Sequence, residues 1–152
     1  MYGRILVALE HTPYDAAILD HVRQLARVCG AKLILIHVAD GWAARNINEL
    51  ELRESEEMRA DREYLDRVAA ELERGGVPVD AILASGDPAR EITEAAVREQ
   101  CDLIAMATHG HRFFGDLIRG SVADSVRHRS SIPVLLVRGS RVPTPAATDA
   151  IA

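Results

Sequence analysis

ILVALEHTPYDAAILDHVRQLARVCG, residues 5–30, sets two patterns back to back near the start of the chain. Ile5 to Leu9 is an unbroken apolar run, the pattern of a short strand buried on both faces of a parallel sheet. Thr12 then offers a side-chain cap, Pro13 stands at the first helical position, and Asp15 completes a start resembling a capping box. Ile18, Val22, Leu25 and Cys29 follow at helical spacing, and Gly30 stops the helix. A buried strand followed at once by an amphipathic helix calls for a second strand parallel to the first.

The alternation recurs along the chain. Leu33 to Val38 reads as a second strand, and a loop through Trp42 leads to a long charged helix from about Glu49 to Arg74. Met58, Leu65, Val68 and Leu72 give that helix one apolar stripe, and Gly75-Gly76 with Pro78 ends it. Val77 to Ala84 reads as a third strand, and Asp87-Pro88 caps and opens a helix running to about Gln100. Asp102 to Ala107 makes a fourth strand, Ser121 to Arg129 a last helix, and Pro133 to Val137 a fifth strand. Strands alternating with helices predict a doubly wound α/β domain, a parallel sheet with helices on both faces. Ligands of such sheets sit beyond the carboxyl ends of the strands, where the strand order reverses. That rule singles out Glu10, Val38, Gly86 and the run after Ala107. Residues 139–152, rich in Pro, Thr and Ala, read as a disordered tail, which leaves 1–138 as the domain.

Composition agrees with one globular domain. A chain of 152 residues buries roughly 70% of the surface exposed when unfolded. Hydrophobic residues at 48% and charged residues at 27% are ordinary, and aromatics are scarce at 4%. A net charge of -5 argues against nucleic acid or an anionic membrane as partner, because both need a basic face. Cys29 and Cys101 alone suit a reduced cytoplasmic protein and no disulfide scaffold, and no metal site is expected. The start of the chain lacks the pattern of a signal peptide, and no apolar run approaches the ~20 residues that cross a bilayer. The expected location is the cytoplasm.

THGHRFFGDLIRGS, residues 108–121, carries the chemistry. It follows the fourth strand, and its Gly120-Ser121 opens the last helix, where unpaired N–H groups and a partial positive charge hold anions. Gly110 and Gly120 lack a side chain that would keep phosphate from the backbone, the Ser121 hydroxyl adds a donor, and Arg112 and Arg119 are available cations. Ser121 reads equally as a plain N-cap, with Asp124 three residues on closing a capping box.

The run from Cys101 to Gly110, then nine residues, then Gly120-Ser121-Val122-Ala123, resembles the universal stress protein family. The likeness extends through Ile5-Leu6-Val7, Leu35 to Val38 and Ile132 to Val137, nearly the whole chain apart from the tail. It implies a five-stranded sheet in the order 3-2-1-4-5, with the fifth strand at the edge and two copies pairing through Val134 to Val137. It also implies an adenine nucleotide, ATP or AMP with or without magnesium, cyclic AMP remaining open. On this resemblance Gly110, Gly120, Ser121 and Val122 surround phosphates, with His109, His111 and Arg112 as neighbouring donors. Glu10 serves the ribose, Val38 the adenine, and Ala8 and Ala107 line the strand ends. Two positions depart from the family pattern. Ala107 stands where nucleotide-binding members have the first glycine, and Glu10 stands where an aspartate is usual.

Other histidine patterns carry less. Thr108-His109-Gly110-His111 resembles the motif of adenylyl-transferring enzymes, but there it follows the first strand rather than the fourth. His37, inside an apolar strand, reads as a hydrogen-bonded structural histidine, and His11, His21 and His128 show no partner spacing. Cys101 reads as a buried small residue. No acid-base or nucleophile constellation is visible, which favours a binding module whose ATP hydrolysis is slow at most. The rival reading is a nucleotide-free dimeric scaffold of the same fold.

Overall fold

The computed structural model describes residues 1–40, 50–109 and 122–139. Within them the chain runs β1 (Arg4–Ala8), α1 (Asp15–Cys29), β2 (Lys32–Asp40), α2 (Leu50–Arg74), β3 (Val79–Gly86), α3 (Pro88–Arg98), β4 (Leu103–His109), α4 (Val122–Arg129) and β5 (Val134–Gly139). The strands form one parallel sheet in the order β3-β2-β1-β4-β5.

Strand periodicity divides the core in two. On β1, Ile5 and Val7 join Ile18, Val22, Leu65, Val68 and Leu72 of α1 and α2. Leu6 and Ala8 turn to the opposite face, against Ala89, Ile92 and Ala96 of α3 and Val126 of α4. Connections through α1 and α2 carry the chain outward from β1 to β2 and β3. The connection through α3 then returns past β1 to β4, moving the other way across the sheet, so α3 and α4 lie on the other face. Right-handed crossovers require that exchange of faces. The reversal falls between β1 and β4, where Ile5 pairs with Leu103 and Ala8 with Met106.

The start of α1 differs from the expectation. The helix begins at Asp15, its N-cap Tyr14 makes no side-chain capping bond, and Thr12 and Pro13 precede it. Thr12 Oγ1 is buried without a hydrogen-bond partner among the described residues. The cause is the Asp15 carboxylate, which turns back to accept from the backbone N–H groups of Glu10 at 3.0 Å, His11 at 2.9 Å and Thr12 at 3.4 Å. The first helical residue therefore organises the loop before it, and its own N–H goes to the Thr12 carbonyl oxygen at 3.0 Å rather than to the Thr12 hydroxyl. Gly30 ends α1 in the left-handed conformation, φ 66°, as its sequence position suggests. Asp87 caps α3 as expected, accepting from the Arg90 N–H at 2.9 Å, with Pro88 in the first turn.

Several elements run past their sequence limits. β2 continues to Asp40, β3 to Gly86, β4 to His109 and β5 to Gly139, the residue expected to open the tail, because ladder pairing persists as far as Asp40 with Gly86 and His109 with Gly139. At the edge, β5 leaves Leu136 41% exposed.

Candidate functional site

The carboxyl ends of β1, β2 and β4 meet where the strand order reverses. Ala8 closes β1 between Ile36 and Met106. Leu9 continues its course by donating its N–H to the Ile36 carbonyl at 2.8 Å. Glu10 follows in the loop held by Asp15. Val38 stands opposite Ala84 and packs partly buried on the α3–α4 face. Ala107 stands opposite Val137 and is only 8% exposed, within the cluster on the α1–α2 face. The fold thus brings Ala8, Glu10, Val38 and Ala107 to one end of the sheet. His109 joins them by its backbone, opposite Gly139. Val122 is the first residue of α4 and is partly exposed. Gly110, His111, Arg112, Gly120 and Ser121 lie outside the described residues, as do Trp42 and the tail beyond Gly139. Gly86 ends β3 at φ 125°, a backbone region that favours glycine.

Beside this end lies a polar cluster whose members are distant in sequence. Asp15 is 1% exposed, and its Oδ2 accepts not only from the loop but also from the Tyr64 hydroxyl at 2.6 Å. Burial first, and then the bond to Asp15, holds the Tyr64 phenol well above its ordinary range. His11 stacks on Tyr64, ring centroids 4.1 Å apart, and its Nδ1 lies 2.7 Å from Asp61 Oδ1. His37 bridges Nδ1 to the Leu9 carbonyl oxygen at 2.9 Å, the structural role its sequence position suggests. His11, which shows no partner in the sequence, meets Asp61 from the middle of α2. Its backbone is left-handed at φ 60°, a state uncommon outside glycine, asparagine and aspartate.

A cleft of about 460 Å³ opens between α1 and α2, lined by Leu19, Arg23, Tyr64, Arg67 and Glu71 among others. Glu10, Val38 and Ala107 do not line it, so it is separate from the strand ends. Cys101 is 6% exposed and its thiol is pushed up to about 11 by burial, with Glu99 and Asp102 adding to the effect and Arg4 opposing it. A thiol kept protonated is no nucleophile at neutral pH. Among the described residues no group of three or more His, Cys, Asp or Glu is arranged to hold a metal ion, and no helix is long and apolar enough to cross a membrane.

A doubly wound α/β fold with its strand order reversing between β1 and β4 is the class that these features define. The chain belongs to the universal stress protein family, whose sequence profile matches residues 1–138. A universal stress protein from the QAH/OAS sulfhydrylase 3' region of Thermus aquaticus is 35% identical over 147 residues, spanning 91% of this chain and all of that protein. The solved structure of MJ0577 from Methanocaldococcus jannaschii superposes with a TM-score of 0.77 at 28% identity, over 92% of this chain and 98% of that one. A universal stress protein solved in complex with cAMP shares the fold, with a TM-score of 0.70 at 21% identity over 91% and 98% of the two chains.

Proposed function

We propose that the chain binds an adenine nucleotide, ATP or AMP, beyond the carboxyl ends of β1, β2 and β4, and acts through occupancy rather than turnover. The observation that carries the reading is the reversal of strand order between β1 and β4, with Glu10, Val38 and Ala107 gathered beside it. Glu10 is assigned to the ribose hydroxyls and Val38 to the adenine. Gly110, Gly120 and Ser121 are assigned to the phosphates, where glycine permits close backbone approach. Universal stress proteins of this fold solved with cAMP and with dAMP support the class of ligand.

Calorimetric titration of nucleotide-stripped protein with ATP, AMP and cAMP, with and without magnesium, tests the reading. The expected result is micromolar affinity for ATP or AMP, abolished by Gly120→Val. Absence of heat with all three ligands from folded protein would refute it. That outcome belongs to the second reading, a nucleotide-free scaffold, which Ala107 and Glu10 favour by departing from the family pattern.

The edge strand supports a further assignment, a homodimer paired through Val134 to Val137. Among the described residues β5 has one strand neighbour, β4, and it leaves Leu136 partly exposed, features that invite pairing. Sedimentation at micromolar concentration should give a dimer, and a monomer there would overturn the assignment.

A further inference from the structure

We propose that His11, Asp61 and His37 form a proton-operated latch that ties α2 to the loop carrying Glu10. The Asp61 carboxylate lies between two imidazoles, Oδ1 2.7 Å from His11 Nδ1 and Oδ2 3.3 Å from His37 Nε2. The other ring nitrogen of His37 is already committed, 2.9 Å from the Leu9 carbonyl oxygen. Both neighbours only accept, and the shorter contact, 2.9 Å to the Leu9 carbonyl against 3.3 Å to Asp61, assigns the single hydrogen of a neutral ring to Nδ1. A neutral imidazole has one N–H, and neutral His37 therefore turns a bare lone pair from Nε2 toward a carboxylate. A proton added at Nε2 replaces that repulsion with a charge-assisted hydrogen bond.

The two legs of the latch differ. His11 donates from Nδ1 to Asp61 whether its ring is neutral or charged, and so holds across the range. His37 closes only when protonated. Its side chain is 11% exposed and that of Asp61 15%, which weakens solvent screening of the pair.

The surrounding groups leave this leg as the variable one. His11 approaches His37 edge-on, with centroids 6.2 Å apart. Behind His11 stand Tyr64 and its partner Asp15, and Arg67 lies over the Tyr64 ring at 5.7 Å. From β3 the register neighbour of His37 is Leu83, which carries no charge. Of these side chains only the imidazoles ordinarily titrate between about pH 5 and 8.

The latch acts on the end of the sheet that carries Glu10 and Val38. Leu9 and His11 flank Glu10, and His37 precedes Val38. The left-handed backbone of His11 persists because Asp15 grips its N–H and Tyr64 and Asp61 hold its ring. Closing the His37 leg adds a second tie to α2, this one from β2. The tie is present on the acid side and is lost as rising pH strips the Nε2 proton. This inference goes beyond nucleotide binding and does not depend on it, since every readout below is taken without ligand.

Long-range proton–nitrogen NMR of the histidine rings in the full chain, from about pH 8 to about pH 5.5, tests the latch. His37 should pass from a single N–H at Nδ1 to an N–H on both nitrogens. D61N should delay that passage to lower pH. H37N keeps a donor for the Leu9 carbonyl but cannot reach Asp61. The gap in Tm between wild type and H37N should therefore widen on the acid side by at least about 2 °C. A His37 titration identical in wild type and D61N would overturn the latch. So would a Tm gap equal at both ends of the range. Should H37N fail to fold, the NMR comparison with D61N decides the matter.

Discussion

Tyr64→Phe removes one oxygen atom and isolates what the buried carboxylate of Asp15 requires. The ring remains to stack on His11, and only the 2.6 Å bond to Asp15 Oδ2 is lost. Asp15 is 1% exposed, so water does not readily replace the missing donor. A hydrogen bond to a charged group contributes about 1.5–3 kcal/mol. In a domain of this size 1 kcal/mol moves Tm by about 2–4 °C, which places the expected loss at roughly 3–12 °C. The Phe variant should also alter the alkaline limb of stability. Because folding holds the phenol above its ordinary range, its contribution is complete below about pH 10 and is lost as pH rises beyond it. Tyr64→Phe should therefore lose stability less steeply than wild type above that point. A double-mutant cycle with Asp15→Asn, followed by urea unfolding, should give a coupling of about 0.5–3 kcal/mol. Additivity of the two changes, or a Tyr64→Phe variant as stable as wild type, would refute the reasoning.

Other expectations are simpler. Asp87→Ala removes the cap on α3 and should cost about 0.5–2 kcal/mol by urea midpoint, with Asp87→Ser recovering most of it. Ile104→Ala opens a cavity on the α3–α4 face, where Ile104 is fully buried, and should cost about 2–5 kcal/mol. Val97→Ala, at a position 71% exposed, should stay within about 0.5 kcal/mol. Alkylation of native protein at about pH 8 should reach the half-buried Cys29 well before Cys101, whose thiol is held protonated; mass mapping that found equal rates would contradict this.

The fold was readable because each element advertises itself locally. Ile5 to Leu9 and Leu33 to Val38 are apolar runs of strand length, rich in β-branched residues, and Gly30 and Asp87 mark a helix end and a helix start by their own backbone chemistry. The strand ends contributing Glu10, Val38 and Ala107 followed from the topology. What stayed hidden depends on pairs distant in sequence. Thr12 reads as a cap because nothing nearby reveals that Asp15 will bind the loop instead. Asp15 does so in concert with Tyr64, 49 residues on. His11 looks solitary because Asp61 lies 50 residues away, on a helix read from its charges and its one apolar stripe. Tyr64, an aromatic among the charges of that helix, was the one trace of the cluster.

The position of β1 has a consequence for synthesis. Of these five strands β1 is made first, yet it is the middle strand of the finished sheet, with Ile5 destined for Leu33 on one side and Leu103 on the other. The first partner arrives early, but the second is made only after α3 is complete. Throughout that interval the chain presents an apolar strand with one side unpaired, the condition under which edges capture other chains. The order of translation, rather than the finished structure, thus sets the time when this protein is most exposed to aggregation.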